Sequence, residues 1–252
     1  MTSVTIVSLL PELLGNNGDA ANARVLAQRA RWSGVDASVI AVHTRDDLPE
    51  RVDAVVIGTG TDSDLSAARD VLLTMAADIR EWLTGGVPIL AVGTGWELLS
   101  WGIELADSTV EGLGIVPGRA VSRATRATGD LVVASKYGRL IGFENHARDY
   151  VGAEGSPLGR VESGTGNGTG NDTGAKDRVT GYEGVVMGEF VGTHLHGPVL
   201  ARNPGLADHL VTLMLSRANV TYVLGAQSRL VDDIARAARN QIAVRLELAT
   251  DI

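Results

Sequence analysis

The sequence predicts an α/β fold: a central, mostly parallel sheet flanked by helices, with a helical extension at the C-terminus. Three observations predict it. Short runs rich in β-branched residues alternate with longer segments of helical period through the first half of the chain, and strands alternating with helices pair in parallel through right-handed crossovers. Glycines gather at the ends of apolar runs, in Gly58-Thr59-Gly60, in Gly93-Thr94-Gly95 and at Gly197, where strand-to-helix turns are tight. The chain closes on two helical patterns.

Residues 4–7 (VTIV) read as the first strand. Residues 20–33 follow as a helix, with Ala21, Val25, Leu26 and Arg29 at helical spacings. Residues 37–42 and 54–58 are further apolar runs of strand length. From 63 to 83, the spacing of Ala67, Val71, Leu72, Met75 and Ile79 predicts one helix with a single apolar side. Residues 87–90 (VPIL) then lead into AVGTGWELLS, residues 91–100, a strand passing into a helix through a glycine-rich turn. Beyond Leu99 the texture changes, and residues 112–118, 131–134 and 140–143 read as strands of antiparallel or mixed hairpins. SGTGNGTGNDTG, residues 163–174, has nothing to bury and is expected to be a mobile loop or hairpin tip. Residues 185–193 return as one strand, and helices over 206–217 and 228–248 end the chain. In the last helix Val231, Ile234, Ala238 and Ile242 form a stripe suited to packing, more readily on its own domain than on another chain. These readings divide the chain into a domain over 1–217 and an extension over 218–252.

The 252 residues are 44% hydrophobic, enough for a sizeable core, and carry a net charge of −8. The basic residues are dispersed, which predicts a small-molecule or protein partner and no nucleic acid. There is no cysteine, which excludes disulfides, thiolate metal sites and a cysteine nucleophile. The opening MTSVTIVSLLPELLG lacks a basic leader, carries Glu12 and is too short to span a bilayer, so a cytoplasmic location without a membrane span is expected.

A strand passing into a helix through a glycine-rich turn is where many enzymes raise a nucleophile above a sheet edge. Here the apex holds Gly93. The two Gly-Thr-Gly copies complete neither a dinucleotide-binding glycine pattern nor a P-loop with its lysine. His194-Leu195-His196 sets two imidazoles on one side of an extended segment, and with Glu144 and His146 a metal set can be drawn. Structural hydrogen bonds in separate loops are the simpler alternative, and no metal is expected.

Four blocks resemble a known family: PILAVGTGWELL (88–99), LLPELLGNNGDAAN (9–22), GFENH (142–146) and GTHLHGPVLARNP (192–204). They are similar to class I glutamine amidotransferases of the cobyric-acid-synthase-like branch, and within it most similar to the GatD group of glutaminase subunits. The blocks keep their order from about residue 4 to residue 215. The resemblance implies the flavodoxin-like sandwich of class I glutamine amidotransferases and no cofactor. In that family a cysteine thiolate attacks the glutamine side-chain amide and a histidine shuttles protons. The ammonia passes to a Mur-ligase-like (MurT-like) subunit, which activates the D-glutamate carboxylate of lipid II with ATP. Carried over by position, His196 matches the catalytic histidine. Arg126 matches the arginine that holds the glutamine α-carboxylate, a task that suits a bidentate guanidinium fork. Gly58 and Gly60 match the glycine-rich oxyanion strand end, and Asp19 is a candidate helper to His196.

The nucleophile position of the family matches Gly93. Thr94, one residue past the apex, points in another direction and is expected to bind substrate rather than attack it. Glu97 stands where the family has glutamine, and His194 where it has tyrosine. Glycine cannot form a thioester, and losing the nucleophile of a triad-type hydrolase costs on the order of a millionfold in kcat. The resemblance therefore implies a heterodimer subunit for amidation of a cell-wall precursor, one that binds glutamine or another amine without hydrolysing glutamine. Two alternatives stay open. One is a working glutaminase, with cysteine at 93 in the native gene or with another route through His196; the other is a free-standing small-molecule-binding protein of this fold.

Overall fold

The computed structural model describes residues 2–168 and 181–250. In chain order the parallel elements begin with β1 (Ser3–Leu9), α1 (Ala21–Trp32), β2 (Asp36–Val42), β3 (Ala54–Ile57), α2 (Leu65–Thr74), α3 (Ala76–Thr84), β4 (Ile89–Val92) and α4 (Thr94–Leu99). A second group follows: β5 (Gly102–Glu104), β6 (Thr109–Glu111), β7 (Arg119–Ser135), β8 (Gly138–Val151), β9 (Gly159–Ser163) and β10 (Tyr182–Glu183). The chain then returns with β11 (Val185–Met187), β12 (Phe190–Thr193), α5 (Val199–Arg202), α6 (Pro204–Arg217) and α7 (Ala226–Arg245). The first sheet has the order β2-β1-β3-β4-β12-β11, parallel throughout except for β11 at its edge. The second sheet, β10-β9-β7-β5-β6, is built on the long antiparallel β7–β8 hairpin. The structure thus has the mixed α/β architecture that the alternation of strands and helices predicts.

The central strands are buried on both faces, so they read as unbroken apolar runs while their side chains still alternate. Val4 and Ile6 of β1 and Leu90 and Val92 of β4 face the core under α1 and α6, with Leu26, Leu210 and Met214. Val7, Leu9, Ile89 and Ala91 face the core under α2, α3 and α4, with Leu72, Ile79 and Trp96.

Several expectations are corrected. The helix expected over 63–83 breaks at Met75, whose N–H bonds to Leu72 O, so that Leu65, Ala68 and Leu72 on one piece and Ala76 and Ile79 on the other are all buried. Ala67, counted on the apolar side, is exposed. Residues 112–118 form turns rather than a strand, with positive φ at Gly114 and Gly118. Their amides bond instead to Leu98 O, Leu99 O and Ser100 O, which satisfies the carbonyls at the end of α4. The strand expected over 185–193 is a hairpin, because Gly188 at φ +57 turns β11 back along β12. Residues 163–168 are not a loose tip. Glu144 accepts the N–H groups of Thr165 and Gly166 at 2.8 and 3.0 Å, and Asn167 is buried against Gly184 and Tyr150. The rest of that expectation, 169–174, lies outside the described residues.

The buried face of α7 is Ser228, Ala235 and Ala243, so the stripe read from the sequence is rotated, and Ile234 is 63% exposed. The helix lies against the domain core, with Arg29 of α1 bonded to Asp232 and Arg239 donating to Arg202 O. Among the described residues no helix is long and apolar enough to cross a membrane.

Candidate functional site

The carboxyl ends of β1, β3, β4 and β12 converge on one cavity of about 450 Å³, where ligands sit in parallel α/β sheets. Asn16 and Asn17 after β1, Thr59 to Asp62 after β3, Gly93, Thr94 and Glu97 after β4, and His196 after β12 line it. The β7–β8 hairpin closes it with Arg126, Asn145, His146 and Arg148. A register irregularity between Ser122 and Ala127 carries Arg126 out of the ladder to the cavity mouth. There its Nε donates to Asn145 Oδ1 at 2.7 Å.

β4 passes into α4 through Gly93, whose φ of +52° and ψ of −123° form a sharp turn that only glycine adopts without strain. Its N–H bonds to Thr193 O and its carbonyl accepts from Glu97, so the apex is fixed on both sides. Gly58 and Gly60 are glycines for a reason the sequence did not suggest. Neither has positive φ. A Cβ on Gly58 would stand 2.2 Å from Leu14 O, and one on Gly60 would stand 2.4 Å from Leu13 O. Close approach of the loop after β1, not turn geometry, requires them. Gly58 does not line the cavity, and the Gly60 N–H is donated to Thr94 Oγ1 at 2.7 Å.

His196 Nδ1 lies 2.9 Å from Asp19 Oδ2, with both side chains buried, and Asp19 Oδ1 accepts the Gly197 N–H. A carboxylate on Nδ1 fixes the tautomer and leaves Nε2 of the neutral ring as an acceptor. That Nε2 is buried and has no hydrogen-bond partner among the described residues.

His194 behaves differently. Its Nδ1 turns to buried Glu183, its ring stacks on His146 with centroids 4.2 Å apart, and it does not line the cavity. The two imidazoles of the His194-Leu195-His196 segment therefore serve separate carboxylates. Among the described residues no group of three or more His, Cys, Asp or Glu is placed to hold a metal ion. Burial first, and the charge of His146 second, push the His194 pKa down, while the hydrogen bonds from His194 and Thr193 outweigh burial and hold Glu183 below its ordinary value.

Glu97, 1% exposed, accepts from Arg148 Nε at 2.8 Å, and Arg148 Nη1 reaches Asp62 at 2.8 Å. Burial lowers the Arg148 pKa, but Glu97 and Asp62 more than offset it and the net shift is upward, so the guanidinium stays charged. Sequence reading missed Thr59, Asp62 and Arg148. For Arg148 a signal existed: Glu144, His146 and Arg148 alternate along β8 and share one buried face.

A solved crystal structure of a glutamine amidotransferase superposes with a TM-score of 0.53 at 18% identity, covering 85% of this chain and 99% of that one, and so shares the fold. By sequence, the GatD subunit of the glutamine-hydrolysing lipid II isoglutaminyl synthase of Staphylococcus aureus (strain N315) is 29% identical over 248 residues, 97% of this chain and 96% of that protein. The GatD subunit from Streptococcus pneumoniae (strain ATCC BAA-255 / R6) is 30% identical over 220 residues, 85% of this chain and 81% of that protein. The CobB/CobQ-like glutamine amidotransferase domain matches residues 5–204, which contain every residue lining the cavity. On that match the chain belongs to the CobB/CobQ-like glutamine amidotransferase family.

Proposed function

We propose that this chain is a GatD-like subunit that forms a heterodimer with a Mur-ligase-like, ATP-dependent subunit in an amidation or amide-ligation reaction, and that it does not itself hydrolyse glutamine. The observation that carries the reading is Gly93 at the apex of the elbow between β4 and α4, where a family nucleophile would stand. Amide hydrolysis by acyl transfer needs a nucleophile, a base and donors for the oxyanion. The buried Asp19 carboxylate on His196 Nδ1 supports the reading of His196 as the base. No side-chain atom stands at the apex to attack a carbonyl carbon, and the Gly60 N–H, a family oxyanion donor by position, is engaged by the Thr94 hydroxyl.

What remains is a polar pocket suited to holding an amino compound reversibly. Arg126 at the mouth meets a carboxylate, and the Glu97 and Asp62 carboxylates beside Arg148 supply acceptors for an amine. The ligase partner would transfer the ATP γ-phosphoryl group to the acceptor carboxylate. Ammonia or another amine would then attack the acyl phosphate and release phosphate. The naming of both relatives as subunits of lipid II isoglutaminyl synthase supports a cytoplasmic role on a peptidoglycan precursor.

The test is amine dependence. The purified chain, alone and with its co-expressed ligase, is incubated with glutamine or with ammonium chloride. Expected are glutamate release at the background rate and amidation driven by ammonium. Protein-dependent, multiple-turnover release of glutamate overturns the proposal.

A further inference from the structure

We infer that Thr59 takes the place of the missing side chain at position 93, and that Thr59 and Gly93 together determine whether this pocket can do covalent chemistry. A Cβ built on Gly93 would stand 2.1 Å from Thr59 Oγ1, 2.9 Å from His196 Cε1 and 3.3 Å from Thr59 Cβ. Real Cβ atoms are essentially never found under 3.0 Å from a neighbour, so alanine, serine or cysteine at 93 forces something to move. His196 is held by Asp19 on Nδ1 and by its backbone bond to Phe143 O. The Thr59 hydroxyl is the group that can yield. It is buried and donates to Val92 O at 2.9 Å, the carbonyl just before the apex.

To make room, the hydroxyl has to rotate away and leave the Val92 carbonyl without that bond, a loss of the kind that costs most where water cannot compensate. Even then the Thr59 Cβ remains in tight contact. The pocket is therefore shaped around glycine at 93 from outside the elbow as well as by the φ of +52° within it. These two effects separate. The backbone penalty and the His196 contact fall on any side chain at 93 whatever stands at 59, whereas the contact with Thr59 disappears when Thr59 is shortened. The inference rests on the reading of Gly93 as the vacant nucleophile position.

The sequence contains no cysteine, so a thiol introduced at 93 is the single cysteine thiol in the chain. Gly93→Cys, alone and combined with Thr59→Gly, is treated with iodoacetamide at mildly acidic pH and followed by intact mass. The double variant, whose thiol can reach the His196 imidazole, is expected to alkylate at least about tenfold faster than the single one. Thermal unfolding of Gly93→Ala with and without Thr59→Gly provides a second reading that needs no reactivity. The fall in Tm caused by Gly93→Ala is expected to be smaller in the Thr59→Gly background, since the φ penalty cancels in the comparison. Alkylation of Gly93→Cys as fast as the double variant overturns the inference, and so does an equal fall in Tm in both backgrounds. Glutamate release by the unaltered chain would instead overturn the proposed function and leave the Tm comparison standing.

Discussion

His194 is fully buried between the Glu183 carboxylate and the rings of His146 and Trp96, and it titrates against its surroundings. Burial and the charge of His146 hold its pKa below 6.5, with Glu183 and the more distant Glu97 pulling the other way. A group with a depressed folded pKa binds more protons when unfolded, so its contribution is complete above pH 6.5 and is lost as the pH falls below that value. Glu183 adds a second loss at lower pH, since its own pKa is held below 4.5. Chemical denaturation between about pH 5 and 8 is expected to show stability falling toward acid by up to about 1.4 kcal/mol per pH unit for one proton. His194→Phe keeps a ring on His146 but removes that proton and, with it, the largest interaction holding the buried Glu183 carboxyl down, so the slope below pH 6.5 should flatten and the loss below pH 4.5 should shrink as well. An unchanged slope in the variant would place the responsible group elsewhere.

β8 shows how a single element closes the cavity. Its alternation sets Glu144, His146 and Arg148 on one buried face, and each is answered from a different part of the chain: the amides of Thr165 and Gly166, the His194 ring, and Glu97 of α4. Arg148→Met strands Glu97 in a site 1% open to solvent, and removing one partner of a buried pair costs about 3–5 kcal/mol. Asp62, at 58% side-chain exposure, regains water and adds little. Urea unfolding of Arg148→Met should show that loss at neutral pH. Adding Glu97→Gln should restore a large part of it, because the amide buries without a charge; no recovery would mean the arginine acts through packing alone. The same element marks what could be read in the sequence. Strands β1, β3 and β4 and the glycine elbow stood out because burial on both faces and a backbone twist are written locally, in apolar runs and in Gly93. The break at Met75 and the turns at 112–118 were hidden, because the first follows from how two helical pieces fill one core and the second from α4 needing its carbonyls satisfied. Thr59 could not be found at all, since only the approach of β3 to β4 gives its hydroxyl a meaning.

The attachment of α7 decides whether residues 218–252 form the separable extension that their sequence suggested. The helix fully buries only small side chains, Ser228, Ala235 and Ala243, while Leu230, Ile234 and Val244 remain 57%, 63% and 65% exposed. Apolar burial therefore contributes little to its docking; Arg239 donates to Arg202 O and Arg245 pairs with Asp130, and the most buried of its polar connections runs through Arg29. That guanidinium, 3% exposed, bonds to Asp208 of α6 at 2.6 Å and Asp232 of α7 at 2.8 Å, while Tyr222 donates to Asp208 at 2.6 Å. Burial alone would lower the Arg29 pKa, yet the two aspartates raise it, so the cross-link stays charged. In Arg29→Met the aspartates, 29% and 20% exposed, can take up water, which puts the cost at the lower end of the range for broken buried pairs, about 3 kcal/mol. If α7 is an extension clipped on by this arginine, hydrogen exchange in Arg29→Met should speed up first and most across Ala226–Arg245, with β1, β3 and β4 keeping most of their protection. If α7 instead belongs to the cooperative unit of the central sheet, its protection and that of the strands will fall together by the same free energy, and the boundary at 217 has to be abandoned.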